Sequence, residues 1–538
     1  MDGTEFATLV RTGWQNIRVN EDVINELNVF PVPDGDTGSN MRITVENGVL
    51  TADSTDDLGV YAQRLARGML LGARGNSGVI FSQIFKGIAQ ALKGKKTADV
   101  REMAQALVRG YEAAYHAVVT PTEGTMLTVA REGIENILDK ITDDMTMDDL
   151  FRMYLAEMKR SLVRTPDMLE VLKQAGVVDS GGMGLVSFFE GFVKKDRMIE
   201  GTRMYIAEHT DGRCIFAAGE GKGFCVEFAL KLPDAKQDFD ILALTTYLEN
   251  NGRHVIVQNE NGLYRAHVHV DNPIELLRTA MEYGEYVSFS LDNLELSYNT
   301  EGQFLVRRKA HKRVHKSIGY VAVAQGEGII RALEDFGCDI VIDGGQMMNT
   351  SVEEFLDAFE EIDADDIIVM PNNANIRLAA LQAKEMCEMR DHIHVLNTKS
   401  VAEGYFAMSM AVAKADISAQ IESMQTGMEN VQTLLITQAM KDSEIFGVAC
   451  NAGDYICITE GTISVADPDR TQAVLRGIGG IEDLEEKEAI LLIHGQNVPE
   501  EDCEQLVEAL YDAFPLLEVG VINGGQDIYD FVIGVTGS

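Results

Sequence analysis

Cysteine is scarce in this 538-residue chain. There are seven, with no tight framework of spacings, which excludes a disulfide-stapled scaffold and leads us to expect a reduced, cytoplasmic protein. Positive charge is also short: 46 Lys and Arg stand against 85 Asp and Glu, a formal balance of −39. Such a chain repels nucleic acid and anionic lipid alike, so neither is expected as a partner. No uninterrupted apolar run approaches the roughly 20 residues needed to cross a bilayer, and no transmembrane segment is expected. Met1-Asp2-Gly3-Thr4-Glu5 has neither a basic nor an apolar stretch, so no export signal is expected there. Familiar catalytic words are missing as well. Gly219-Glu220-Gly221-Lys222-Gly223 lacks the spacing of a Gly-x-x-x-x-Gly-Lys-Ser/Thr loop, and neither a His-Glu-x-x-His helix nor a Gly-x-Ser-x-Gly elbow occurs.

What is present begins with Asn28-Val29-Phe30-Pro31-Val32-Pro33-Asp34-Gly35-Asp36-Thr37-Gly38-Ser39-Asn40-Met41. Asp34 and Asp36 stand two residues apart in a loop that prolines stiffen and glycines allow to turn tightly. Carboxylate oxygens suit a hard cation such as Mg²⁺, which keeps waters and can also grip nucleotide phosphates. Thr37 or Ser39 is expected to cap the helix that follows, whose first N–H groups favour anions. A second glycine-rich segment, Gly72-Ala73-Arg74-Gly75-Asn76-Ser77-Gly78, lets phosphate oxygens approach backbone N–H groups, with Asn76 and Ser77 as side-chain donors. Gly124-Thr125-Met126-Leu127-Thr128 and Val178-Asp179-Ser180-Gly181-Gly182-Met183-Gly184 are two more such helix starts. Each alone reads as an ordinary helix connection. Four in one helical region read as a phosphate site.

The Pro-Asp-Gly-Asp-Thr-Gly-Ser-Asn-Met loop together with Gly-Ala-Arg-Gly-Asn-Ser-Gly resembles the nucleotide-binding L-subunit domain of dihydroxyacetone kinases. The closer resemblance is to the large, ATP-binding subunit of bacterial fatty acid kinase, and it covers essentially the whole chain. It implies an all-α barrel at the N-terminal end, with nucleotide held through Mg²⁺ by loop aspartates. Carried onto this chain, it implies Asp34 and Asp36 as metal ligands and catalytic positions. It also implies Thr37, Ser39, Asn40, Gly75, Asn76, Ser77, Gly78, Thr125 and Met126 as nucleotide-contacting positions. Dihydroxyacetone kinases carry a third aspartate a few residues earlier; the nearest polar residue here is Asn28, so the third ligand stays open.

Hydrophobic periodicity divides the chain into three: an all-α domain over 1–197, a small α+β domain over 198–308, and an α/β domain over 317–538. Helical spacing of Phe6, Leu9, Val10 and Trp14 typifies the first. Short alternating runs such as Phe224–Phe228 and His254–Val257, with a helix near Pro273–Tyr283, typify the second. From Ile318 onward, β-like runs at Tyr320–Val323, Asp339–Ile342, Asp366–Met370 and Ile393–Leu396 alternate with helical ones, which predicts βαβ units around a mostly parallel sheet.

In Arg265-Ala266-His267-Val268-His269-Val270-Asp271, positions 267, 269 and 271 share one face of a strand. With Cys225 from a neighbouring strand, His267 and His269 form a candidate Zn²⁺ site; the alternative is a polar edge-strand face beside a buried thiol. The family resemblance favours the metal, since its middle domain carries a Cys…His-x-His site, and leaves the fourth ligand open. Three C-terminal loops, Gly344–Ser351, Pro371–Asn375 and Asn397–Ser400, follow predicted strands, where open α/β sheets build sites. By resemblance this domain looks related to DegV-type lipid-binding proteins, which implies docking of a fatty-acid-bearing partner. The basic run Arg307–Lys316 reads as a solvated linker between domains.

The resemblance therefore implies an ATP- and Mg²⁺-dependent kinase subunit that phosphorylates the carboxylate of a fatty acid presented by a DegV-type partner, and it is compatible with a homodimer. The alternatives are a dihydroxyacetone or other small-polyol kinase, and a nucleotide-binding scaffold without turnover.

Overall fold

Residues with apolar positions three and four apart build eleven α-helices among the described residues of the N-terminal region in this computed structural model. They are α1 (Gly3–Val19), α2 (Glu21–Glu26), α3 (Thr37–Thr51), α4 (Leu58–Leu71), α5 (Gly75–Leu92), α6 (Val100–Ala117), α7 (Met126–Glu135), α8 (Met147–Val163), α9 (Thr165–Met168), α10 (Glu170–Ala175) and α11 (Ser180–Val193). The structure describes residues 1–28, 35–52, 55–118, 120–142, 144–194, 224–231, 244, 247–248, 253–260, 263–270, 272–281, 283–293, 315–344, 349–412, 415–439, 443–445, 448–459 and 461–537. Helix starts are set locally. Asp2, Asp99 and Thr146 each close a capping box with the acidic residue three positions on. Helix α11 is apolar nearly all round and runs through the middle of the bundle. Its Phe188, Phe189 and Phe192 meet Phe81, Phe85, Phe151 and Tyr154, most of them edge to face with ring centres 4.9–5.5 Å apart. The core therefore sits along α11, and the loops that start α3, α5, α7 and α11 gather at one end of it.

The C-terminal region contains two main sheets. Strands β5 (Lys316–Ala324), β6 (Ile340–Asp343), β7 (Ala364–Met370) and β8 (Ile393–Val395) pair in the order β6-β5-β7-β8, all parallel. Alternate residues of one strand enter different cores: Val321, Val323, Ile367 and Val369 one, Ala322, Ala324, Ile368 and Met370 the other. A sheet covered on both faces is what a parallel arrangement requires. The remaining strands depart from the expected parallel pattern. They are β9 (Gln432–Gln438), the short hairpin of β10 (Ser443–Ile445) and β11 (Val448–Cys450), β12 (Tyr455–Thr459), β13 (Thr462–Asp467), β14 (Ala489–His494), β15 (Glu518–Asn523) and β16 (Phe531–Thr536). Six of them form a sheet in the order β13-β12-β9-β16-β14-β15, antiparallel except for the pair β14 and β15. The reason lies in the connections: Thr459 pairs with Thr462 across two intervening residues, far too few for a parallel crossover.

Residues 1–193 and 313–538 form one compact unit, and 194–312 another. In the second unit β1 (Phe224–Lys231), β2 (Arg253–Glu260), β3 (Leu263–Val270) and β4 (Glu285–Asn293) make an antiparallel sheet in the order β2-β3-β1-β4. Val226, Phe228, Tyr264, Ala266 and Val268 bury one face of it with Leu276 and Ala280 of the helix Pro273–Ala280. No helix among the described residues is long and apolar enough to cross a membrane.

Candidate functional site

Three helix starts converge on the hydroxyl of Thr37. Ser77 of α5 and Ser180 of α11 each donate their side-chain hydroxyl to Thr37 Oγ1, at 3.5 Å and 3.2 Å. Asp36 immediately precedes α3 and is 4% exposed. Neither Thr37 nor Ser39 caps α3 as expected, because Asp36 takes the N-cap position and both lie inside the first turn. The capping oxygen comes from elsewhere: Asn25 Oδ1 accepts the N–H of Gly38 at 2.7 Å and that of Ser39 at 3.3 Å, while its amide donates to Ser39 Oγ. A Cβ on Gly38 would strike the Glu21 carbonyl, so only glycine lets α2 come this close. With Asn25 capping from the side, the Asp36 carboxylate is not consumed by the cap of its own helix.

Helix α5 starts at Gly75, with φ +57°, and a Cβ there would lie well inside contact distance of Asn40 Nδ2. Asn40 is fully buried. Its Oδ1 accepts from Asn349 Nδ2, yet its own Nδ2 has no hydrogen-bond partner among the described residues. A buried donor left unmade costs about 1–3 kcal/mol, and Oδ1 of the neighbouring Asn349 is likewise without a partner among the described residues. Gly78 packs on the Thr44 hydroxyl, itself bonded to the Asn40 carbonyl at 2.6 Å.

Thr125 stands at the N-cap of α7, but its hydroxyl donates backward to the Thr122 carbonyl at 2.8 Å. The Met126 N–H goes instead to Asp179, which also accepts the Gly182 N–H at 2.6 Å. Burial pushes the Asp179 carboxyl up from 3.8 to about 6, against the pull of those two N–H bonds. Asp179 therefore ties α7 to α11 and fixes Ser180 against Thr37. Sequence reasoning placed Asp179 and Ser180 in a helix-start segment without giving either a role, and it missed Asn25; the Asp one residue before a Ser-Gly-Gly start was the available signal.

The C-terminal loops meet this same end of the helical region. Arg74 and Ser351 form an isolated antiparallel bridge, the Val352 N–H donates to the Ala73 carbonyl at 3.2 Å, and Arg74 Nη1 donates to the Asn349 carbonyl at 2.7 Å. Ala73 and Val79 belong to the same buried cluster as Val321, Ile376 and Ala380. Farther along α5, Gln83 donates to Gln382. Asn375 bonds both Asp36 and the Asn76 backbone. The 349–351 and 371–375 segments, expected to serve an external partner, thus contact the glycine-rich loop of their own chain. Asn397–Ser400 turns inward: Thr398 Oγ1 accepts the Asn372 N–H at 2.9 Å, and Ser400 caps the helix Val401–Ser409.

Asp34 lies outside the described residues, so the geometry is that of Asp36 alone. Asn28 is buried near the end of α2, its N–H donating to the Asn25 carbonyl at 3.1 Å. In the separate middle unit, the β1–β3 register sets Cys225 directly across from His269, and Glu227 across from His267. The side chains of Cys225, His267 and His269 lie outside the described residues. The described cysteines 338, 387, 457 and 503 are free thiols.

Comparison with known proteins covers the chain from end to end. Residues 31–194 match the DAK2 domain model, 221–301 match the FakA-like middle domain of fatty acid kinase, and 319–536 match its FakA-like C-terminal domain. Protein YloV of Bacillus subtilis is 32% identical over 552 residues, covering 99% of both chains. The Staphylococcus haemolyticus protein SH1689 is 30% identical over 557 residues, with 99% of each covered. Among solved structures, a DegV family protein from Corynebacterium glutamicum gives a TM-score of 0.33 at 14% identity, over 41% of this chain and 97% of that one. The Streptococcus pneumoniae Fatty Acid Kinase (Fak) B3 protein loaded with linoleic acid gives 0.29 at 13% identity, over 41% and 99%. Both scores are too low to carry a shared fold. The three consecutive domain matches and the end-to-end relatives together show that this chain belongs to the FakA-like family of fatty acid kinase proteins, with a DAK2 domain toward its N-terminal end.

Proposed function

We propose that this chain is the ATP- and Mg²⁺-dependent component of a fatty acid kinase, acting on the carboxylate of a fatty acid held by a DegV-type carrier and giving an acyl phosphate. One observation carries the reading: three helix N-termini and the Asp36 carboxylate converge around Thr37, beside the unpaired Asn40 donor. Helix N-termini favour anions, and a carboxylate among them suits a cation that bridges to phosphate.

In this reading Asp36, with Asp34, holds the metal. The starts of α3, α5 and α11, with the Asn40 amide, hold phosphate oxygens. Bound Mg²⁺ and ATP would supply charge neutralisation and the transferable phosphoryl group. Phosphoryl transfer asks the protein mainly for positioning and fixed donors, in keeping with a site rich in N–H and hydroxyl groups. A fatty-acid carboxylate is already ionised at neutral pH, so no strong general base is needed. The middle unit is proposed to bind Zn²⁺ through Cys225, His267 and His269, on the strength of the Cys225–His269 register.

The test is ATP consumption by the purified chain with Mg²⁺ and oleate, with and without a DegV-type carrier. Acyl phosphate formed only with the carrier is the expected result. Phosphorylation of dihydroxyacetone without carrier dependence, or nucleotide binding without turnover under either condition, would overturn the reading.

A further inference from the structure

Asn375 stands on the turn between β7 and the helix Arg377–Met386, in the C-terminal half of the chain. Its side chain reaches two groups of the N-terminal half at once. The carboxamide Nδ2 lies 3.2 Å and 3.4 Å from the two oxygens of Asp36, and its Oδ1 accepts the Asn76 backbone N–H at 3.0 Å. One amide thus joins the carboxylate that precedes α3 to the first turn of α5. Those are the two elements that the proposed function assigns to metal and to phosphate.

The turn that presents this amide is built to hold it still. Asn372 adopts a left-handed backbone, φ 56°, which is uncommon outside glycine. It is held there from two sides: its N–H donates to Thr398 Oγ1 at 2.9 Å, and its Nδ2 donates to the Val323 carbonyl, also at 2.9 Å. Asn373 Oδ1 then accepts the Asn375 N–H at 2.8 Å. Ile376, the next residue, is fully buried in the cluster that also takes in Ala73 and Val79. Val323 lies in β5 and Thr398 just beyond β8, so the position of Asn375 is referred back to the parallel sheet rather than to a free loop.

We infer that Asn375 is a positioning residue for the nucleotide site, its amide orienting the Asp36 carboxylate toward Mg²⁺ and setting the start of α5 in register with it. Ligating carboxylates are commonly held by hydrogen bonds from a group that does not itself touch the metal, and losing such a group typically costs about 10–100-fold in metal affinity. The donor sits nearly midway between the two Asp36 oxygens, so it bears on the orientation of the carboxylate plane as a whole. The same amide holds the Asn76 N–H, which fixes the pitch of the first turn of α5, where Ser77 meets Thr37. The C-terminal region is thereby part of the nucleotide site and not only a platform for a partner. This inference rests on the proposed function.

The test is binding of the non-hydrolysable analogue AMPPNP to the full-length protein as Mg²⁺ is titrated. Wild type is compared with Asn375→Ala, Asn375→Leu and Gln382→Ala. Leucine keeps the branched shape of asparagine without donor or acceptor. Gln382→Ala breaks another hydrogen bond between the same two regions without touching Asp36 or Asn76. The expected result is a half-saturating Mg²⁺ concentration raised about 10–100-fold in both Asn375 variants and little changed in Gln382→Ala. If alanine at 375 prevents folding, the leucine variant carries the comparison. Three results would overturn the inference. An unchanged value in Asn375→Leu would mean the residue only fills space. A lowered value in either Asn375 variant would mean the amide competes with the metal. An equal rise in Gln382→Ala would mean that only general docking matters. A wild-type protein that binds no AMPPNP at any Mg²⁺ concentration would overturn the proposed function along with it. Binding by wild type with no effect at Asn375 would overturn the positioning role alone.

Discussion

Replacing Asp179 by asparagine should change how stability depends on pH. Asp179 is 5% exposed and accepts N–H bonds from Gly182 and Met126, and burial pushes its carboxyl from 3.8 up to about 6. The folded state therefore holds the proton more tightly than the unfolded state. Its stabilising contribution is fully present below about pH 4 and is lost as pH rises through about 6. A shift of about two units at 1.36 kcal/mol each corresponds to roughly 3 kcal/mol. The Asp179→Asn side chain is neutral throughout and lacks this dependence. Between pH 4 and 7, wild type should lose most of that, roughly 2 kcal/mol, relative to Asp179→Asn, whatever the other carboxylates do in both. Urea unfolding followed through Trp14 reads the right region, since it is the single tryptophan of the chain and is buried in the helical core. A wild-type-minus-variant difference that stays flat from pH 4 to 7 would refute the claim that a desolvated carboxylate ties α7 to α11.

Two further outcomes follow from the same geometry. Gly75→Ala forces an L-residue into φ +57° and drives its Cβ against Asn40, so it should cost about 1–3 kcal/mol in the same unfolding assay and weaken nucleotide binding; a neutral result would remove the close-approach argument. Purified protein is expected to carry about one zinc per chain by elemental analysis, and Cys225→Ser to carry little; equal contents would end the zinc proposal.

The helical N-terminal region was legible because capping boxes and apolar periodicity are local signals that tertiary contacts here reinforce. Strands β5 to β8 were legible for a related reason: runs such as Ile367–Met370 are apolar on both faces, as a covered parallel sheet demands. The second sheet was misread because its strands carry a similar apolar texture, and only the two-residue connection before Thr462 marks the antiparallel pairing. At the site, Asp36, Gly75 and Ser77 announced themselves through glycine-rich spacing. Asn25 did not, and Asn349 and Asn375 stood only in strand-end loops expected to serve an external partner. An asparagine that caps a helix 13 residues away, or reaches an aspartate 339 residues away, leaves no local pattern; only the fold brings the groups together.

The most direct test of the central claim is calorimetric binding of AMPPNP to wild type and Asp36→Asn, each with and without Mg²⁺. Wild type should bind in a Mg²⁺-dependent way, and Asp36→Asn should lose about 100-fold or more of that affinity while retaining its fold. Equal Mg²⁺-dependent affinity in the two proteins would contradict the assignment of Asp36, and with it the site around Thr37.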